Sequence, residues 1–194
     1  MKKIQTHQQN NLTNFGNWYI VRQLISKEER LQLKAQIDTL EWVQAETIGG
    51  AGPDMRDSAV KWLGSCDESP WKWIYKRHWK WANIANDDNW QFHIQGWKDS
   101  MQYTAYEFPD GHYEWHTDIG APKIDHRKIS SSVILKKAEA GGDFEFHSPL
   151  RNIKVDLEEG DAVFFPSWMV HRVTKVLSGE RRSLVSWISG PTFK

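Results

Sequence analysis

The chain has 194 residues, with 25 Lys and Arg against 25 Asp and Glu and a formal net charge of zero. That length is one domain's worth, and the charge balance gives no global drive toward nucleic acid or an anionic membrane. Hydrophobic residues make up 39%, no stretch has the apolar length of a membrane span, and the single cysteine, Cys66, leaves no intramolecular disulfide and no thiolate-rich metal site. The first ten residues carry no apolar run of the secretory kind, so a reducing cytoplasm is the expected compartment.

In chain order, residues 1–14 are polar and rich in Gln and Asn, and read as a flexible lead-in to one domain over 15–194. Trp18-Tyr19-Ile20-Val21 reads as a short strand. Ser26-Lys27-Glu28-Glu29 is a capping box, with Ser26 as N-cap and Glu29 at N3. The helix it opens buries Leu33, Ile37 and Leu40, spaced i, i+4, i+7. Gly49-Gly50-Ala51-Gly52-Pro53 breaks the chain and is a candidate mobile lid. Arg56 to Leu63 reads as a strand. Ser69-Pro70 starts a second helix, with Ser69 as cap and Pro70 at the first helical position. Its buried stripe is Trp71, Ile74, Tyr75, His78, Ala82 and Ala85, while Trp73, Arg77 and Trp81 fall on another face, read as a packing surface in preference to a partner surface. From Trp90 onward the period changes to two, which predicts consecutive short strands to the end. The pattern is mainly β with flanking helices (α+β), the helices packed outside a β-sandwich. Core packing is the default reading of the twelve tryptophans.

The candidate chemistry lies in the β half. His116-Thr117-Asp118 places an imidazole and a carboxylate at i and i+2, on one face of an extended strand. His171 ends the apolar run from Ala162 and supplies a third donor. Two His and one carboxylate, with open positions opposite them, is the donor set of the facial triad in non-haem Fe(II) oxygenases. Arg181 and Ser183 are again i and i+2, and the planar guanidinium fork suits a carboxylate taken bidentately. With eight His in the chain, an isolated HxD is close to a chance event; the four features together are not. The remaining histidines read as structural: His7 in the lead-in, His78 in the helix, His93 on the opposite face of a strand, and His112, His126 and His147 flanking the site.

The order HxD, distal His and Arg-x-Ser resembles the 2-oxoglutarate/Fe(II)-dependent dioxygenases, most of all their prolyl-4-hydroxylase-like branch. Gln102 to Tyr106 and Gly111 to Asp118 are similar to that family's strand leading into HxD. Gly141-Gly142-Asp143-Phe144 looks like its Gly-Gly strand, and Gly160 to Pro166 like its Gly-Asp-x-x-x-Phe-Pro run. The resemblance covers about residues 100–190 and, more loosely in element order, 15–100. It implies a double-stranded β-helix (jelly-roll) core over about 90–190. It implies Fe(II) on His116, Asp118 and His171. It implies 2-oxoglutarate held by Arg181 and Ser183, with Tyr106 and Tyr113 beside it. O2 is then consumed, 2-oxoglutarate is decarboxylated to succinate and a hydroxyl is placed on the substrate; ascorbate is a candidate accessory reductant. Some relatives carry a co-substrate-binding tyrosine in the strand equivalent to Ser130–Leu135, and none occurs here. Trp115, Arg127 and Glu145 are candidate substrate contacts. A hydroxylase acting on a peptidyl (including prolyl) or free amino-acid-like substrate is the main expectation, with no nucleic-acid or membrane partner and the oligomeric state open. The alternatives are a cupin-type metal enzyme that does not use 2-oxoglutarate and a non-catalytic jelly-roll binding module.

Overall fold

The structure is a computed structural model, and it describes residues 18–45, 52, 54–64, 69–120 and 122–192. The lead-in, Cys66 and all of the candidate lid except Gly52 lie outside the described residues. In chain order the elements are β1 (Tyr19–Val21), α1 (Lys27–Ile37), β2 (Val43–Gln44), β3 (Arg56–Asp57), β4 (Ala59–Leu63), α2 (Lys72–Asn89), β5 (Met101–Glu107), β6 (His112–His116) and β7 (Arg127–Lys136). They continue with β8 (Ala140–Gly141), β9 (Phe144–Phe146), β10 (Ile153–Lys154), β11 (Ala162–Pro166), β12 (His171–Val173), β13 (Val176–Ser178) and β14 (Glu180–Ser189). The major sheet has strand order β1-β11-β7-β14-β5-β4-β2, the minor sheet β10-β9-β12-β6-β3, and β13 pairs with β8. Among the described residues the chain is mainly β with two helices, as expected.

Alternation along the strands builds two cores. Met101 and Tyr103 of β5, Phe164 of β11 and Leu184 and Ile188 of β14 pack with Leu33 and Ile37 of α1 and Ile74, Tyr75, Ala82 and Ala85 of α2. Their neighbours on the opposite face, Tyr106, Val163 and Phe165, meet Phe144, Phe146 and Val173 of the minor sheet. Both faces of the major sheet are therefore buried, which is why β7 and β11 are covered almost end to end.

The predicted capping box of α1 is formed: the Glu29 N–H donates to Ser26 Oγ at 3.2 Å and the Ser26 N–H donates to Glu29 Oε2 at 2.9 Å. Leu33 and Ile37 are buried, whereas Leu40 lies past the helix and only packs against the core. Arg77 of α2 donates to both Glu29 oxygens at 2.6 and 2.7 Å and lies over the Trp73 ring. The face carrying Trp73 and Arg77 is thus a helix-packing surface. Gly160 and Asp161 fasten β1 to the rest: Gly160 adopts φ 93, and a Cβ there would lie 2.3 Å from the Ile25 carbonyl. The buried Asp161 carboxylate accepts from the Gln23 N–H at 2.8 Å, the Glu158 N–H at 3.0 Å and Arg22 Nη1 at 2.6 Å.

Four expectations need correction. The second helix begins at Lys72 with Trp71 at the N-cap and no side-chain cap. The Ser69 carbonyl instead accepts from the Lys72 N–H, forming a turn ahead of the helix. The single strand expected over Arg56–Leu63 is two, β3 and β4, and they belong to different sheets. Residues 90–100 form no named strand, with one isolated bridge from Gly96 to Ser189. Asn86 takes the place of a strand partner there, accepting from the Phe92 N–H and donating to the Phe92 carbonyl at 2.9 and 3.0 Å. His93 is accordingly an exposed residue on irregular chain rather than on a strand face.

His78 is fully buried in α2, with Nδ1 at 3.0 Å from the Ile74 carbonyl. Burial, followed by the charge of Arg77, lowers its pKa to about 4. The unfolded chain binds this proton near pH 6.5 and the folded chain does not, so folding stability should fall as pH drops from 6.5 toward 4. The loss is on the order of 3 kcal/mol. Replacing His78→Leu should flatten that limb in denaturant melts taken across this pH range, with little change at pH 7.5.

Candidate functional site

A cavity of about 600 Å³ lies between the two sheets. The residues Arg181, Ser183, Val185 and Trp187, alternate positions of β14, all line it. On the minor sheet β12 pairs antiparallel with β6, placing His171 opposite His116 and Val173 opposite Tyr113. Three residue steps on β6 face two on β12, so β6 carries one extra residue, a bulge that re-aims side chains. Strict alternation would put Tyr113 and His116 on opposite faces. With the bulge their rings stack at 3.5 Å with an interplanar angle of 13°.

His116, Asp118 and His171 converge, each offering one donor atom within 4.8 Å of the others. His116 Nε2 is 3.8 Å from Asp118 Oδ1, and His171 Nε2 is 3.6 Å from Asp118 Oδ2. Asp118 does not reach the site by strand alternation, because β6 ends at His116. The Asp118 N–H donates to the Ser167 carbonyl at 2.9 Å, and Ser130 Oγ donates to Ser167 Oγ at 2.9 Å. Each ring is fixed by a carbonyl two residues earlier: His116 Nδ1 lies 2.7 Å from the Glu114 carbonyl and His171 Nδ1 2.9 Å from that of Met169. A carbonyl only accepts, so Nδ1 carries the proton and Nε2 faces the cluster with its lone pair.

Burial, reinforced by the neighbouring His171, lowers the His116 pKa to about 3, so the ring is neutral at physiological pH. Burial alone would raise the Asp118 pKa, but the charges of His171, His116 and Arg127 outweigh it and lower it. Two imidazoles and a carboxylate form a mixed nitrogen and oxygen donor set that fits a divalent iron.

Arg181 lies on the same cavity, 2% exposed. Its Nη1 donates to Ser183 Oγ at 2.9 Å, whereas Nη2 is buried without a partner. A buried guanidinium nitrogen left unsatisfied is costly, and a carboxylate entering the cavity would satisfy it. Burial also pulls the Arg181 pKa below its ordinary value. The Tyr106 ring lies 5.5 Å from the guanidinium, and Arg181 and Tyr106 are cross-strand partners. Burial, the largest cause, pushes the Tyr113 phenol up to about 12, which keeps it protonated. Behind Arg181, Gly141 and Gly142 adopt φ 70 and 63, and a Cβ on Gly142 would sit 3.4 Å from Arg181 Cδ.

The metal and co-substrate candidates, His116, Asp118, His171, Arg181, Ser183, Tyr106 and Tyr113, thus share one cavity. Of the three candidate substrate contacts only Arg127 lines it, its Nε donating to Asp99 at 2.9 Å and its guanidinium 4.0 Å over the Trp187 ring. Trp115 and Glu145 are not among the lining residues; Arg172 lies over the Trp115 ring and pairs with Glu145 at 2.8 Å. His112 is held by the carbonyls of Asp110 and Asp54 and takes no part in the cluster. Arg56, Gln102, Trp62 and Trp187 line the cavity without having been singled out from sequence. Gln102 could have been, since it shares the period-two face of Tyr106; the position of Arg56 depends on which sheet β3 joins.

A family model described as the 2OG-Fe(II) oxygenase superfamily matches residues 101–189. A PKHD-type hydroxylase of Crocosphaera subtropica is 31% identical over 94 residues, covering 46% of this chain and 42% of that protein. One of Parvibaculum lavamentivorans is 36% identical over 78 residues, covering 39% and 36%. The matched stretch therefore spans less than half the length of these relatives. A Pseudomonas putida prolyl-4-hydroxylase superposes with a TM-score of 0.72 at 18% identity, over 91% of this chain and 94% of that one. A Trichoplax adhaerens prolyl hydroxylase, solved with a peptide fragment of the hypoxia inducible factor oxygen degradation domain, gives 0.73 at 15% identity, over 89% and 83%. Over residues 101–189 the chain is similar to the 2OG-Fe(II) oxygenase superfamily, and its likeness to the solved prolyl-4-hydroxylases shows the double-stranded β-helix fold, with the histidines and carboxylate brought together between two facing sheets.

Proposed function

We propose that the chain is a non-haem Fe(II)- and 2-oxoglutarate-dependent hydroxylase acting on a peptidyl or free amino-acid-like substrate. The observation that carries this reading is the coexistence, in one cavity, of the His116, Asp118, His171 cluster and the unpartnered Arg181 Nη2. His116, Asp118 and His171 would hold the metal on one side and leave the other side to ligands. Arg181, with Ser183, would hold the far carboxylate of 2-oxoglutarate, and the Tyr106 and Tyr113 phenols would flank it. When bound, iron supplies the oxidation by O2 that converts 2-oxoglutarate to succinate and carbon dioxide and places a hydroxyl on the substrate.

The chain's own part is positional. The carbonyls of Glu114 and Met169 keep both imidazoles in the donating tautomer. Phe144, Phe165 and Val173 line the cavity with apolar surface that limits water. A peptidyl substrate is supported by the Trichoplax relative, which was solved with a peptide. Among the described residues no helix is long and apolar enough to cross a membrane. A reducing cytoplasmic setting, with ascorbate as an accessory reductant, suits a ferrous site.

The testing experiment is anaerobic absorption spectroscopy of the purified chain with Fe(II), with and without 2-oxoglutarate. A weak visible band that needs both components supports the reading. Iron binding without that band points to a cupin-type metal enzyme, and no iron binding at all points to a binding module. Within this scheme His171→Ala should weaken metal binding by more than the roughly 10–100-fold typical of losing an outer-shell partner, measured by titration with Mn(II). Arg181→Gln should leave Mn(II) affinity within a few-fold of the parent. It should raise the 2-oxoglutarate concentration for half-maximal succinate formation by about 10–100-fold, the loss of a charge-assisted bidentate contact.

A further inference from the structure

The cavity is tiered, and its cations sit at different levels. Cross-strand register sets the tiers. Arg181 of β14 pairs with Tyr106 of β5, Ser183 with Thr104, and Val185 with Gln102, and on the next strand Trp62 of β4 pairs with Gln102. Four residues along a strand advance about 13 Å, so the tier of Val185, Gln102 and Trp62 lies well beyond the one Arg181 occupies. Arg56 enters that upper tier from the opposite sheet. Its Nη2 donates to Gln102 Oε1 at 2.8 Å, its Nε donates to Ser58 Oγ at 2.8 Å, and its guanidinium lies 4.6 Å over the Tyr113 ring.

The charge of Arg56 is only 8% exposed and yet meets neutral partners. Among the described residues it has no ion pair, whereas Arg127, the other upper cation, is neutralised by Asp99. Asp118 is the one carboxylate among the described lining residues, against three arginines. Two of the five guanidinium N–H bonds are used by Ser58 and Gln102, and Arg56 still lines the cavity. Trp62, Val185 and Trp187 line the same cavity, with the Trp62 and Trp187 rings 6.5 Å apart.

We infer that Arg56, oriented by Gln102, is a substrate-binding residue that takes a carboxylate, and that this site selects substrates joining an anionic group to an apolar body. This inference rests on the proposed hydroxylase reading only in assigning the lower tier to 2-oxoglutarate. Arg181 then serves the co-substrate and Arg56 the substrate, with the apolar body lying against Trp62 and Trp187. The carboxylate can belong to a free N-acyl amino acid, a peptide C-terminus or an acidic side chain.

The test is a binding titration on the metal-free full chain by calorimetry. The probes are N-acetyl-leucine and N-acetyl-leucinamide, then one short leucine-containing peptide as C-terminal acid, as amide, and as amide with an internal glutamate. The parent chain should prefer acid over amide by about tenfold or more. Arg56→Gln should abolish the preference, Arg56→Lys should keep part of it, and Arg181→Gln should leave it intact. The three peptide forms identify which carboxylate is taken. Equal binding of acid and amide by the parent chain overturns the assignment, as does a preference that survives Arg56→Gln or disappears only in Arg181→Gln. If Arg56→Gln does not fold, Arg56→Lys decides: a reduced preference supports the assignment, and an unchanged preference overturns it. A failed 2-oxoglutarate band with Fe(II), measured separately, would overturn the hydroxylase reading and leave the Arg56 result standing.

Discussion

The side-chain alternation of β14 is the constraint on which the rest of the structure depends. Leu184 and Ile188 point to the helices, while Arg181, Ser183, Val185 and Trp187 point into the cavity. The strand pairs with β5 on one side and β7 on the other. A slip of one residue in its register would turn Arg181 into the helix-packed core and Leu184 into the cavity. Packing and chemistry are therefore fixed together: the leucine and isoleucine that bury the helices also hold the guanidinium where it lies. The minor sheet adds the donor cluster against this frame, through the pairing of His171 with His116.

The cavity follows from placing polar groups where a β-sandwich normally has only apolar ones. Burial keeps His116 neutral and pulls the Arg181 pKa down. The same burial leaves Arg181 Nη2 without a partner. Such groups cost stability on their own, and the surrounding apolar packing of Phe144, Phe146 and Phe165 offsets them. The cost and the function share a cause, because a donor that water cannot reach is one that a ligand can use.

Much of this was legible in the sequence where a single local rule decides. Ser26 and Glu29 form the capping box their spacing predicts, and the order of HxD, distal His and Arg-x-Ser marked residues that the fold gathers into one cavity. The parts that were not legible depend on long-range partners. Thr117 looked like the middle of a strand, but β6 stops at His116 and Asp118 is held by Ser167. The β6 bulge, which aligns Tyr113 with His116, is defined only by the length of the β12 segment opposite it. Trp90 to Asp99 has the composition of strand, yet Asn86 satisfies Phe92 from a helix and leaves little for a neighbouring strand to pair. Trp115 and Glu145 lie close in sequence to cavity residues and are turned to Arg172 instead.

The two bonds from imidazole Nδ1 to the carbonyls of Glu114 and Met169 are local, each spanning two residues. The imidazole donors are therefore oriented by the chain itself, and a metal held there as proposed would meet them already in place. A site so prepared sets a shape but does little to distinguish among first-row divalent ions, whose intrinsic affinities rise from manganese to copper for such donors. For a metal held there as proposed, the donor set alone would do little to select iron, and selection would have to come from the metal supply of the cell.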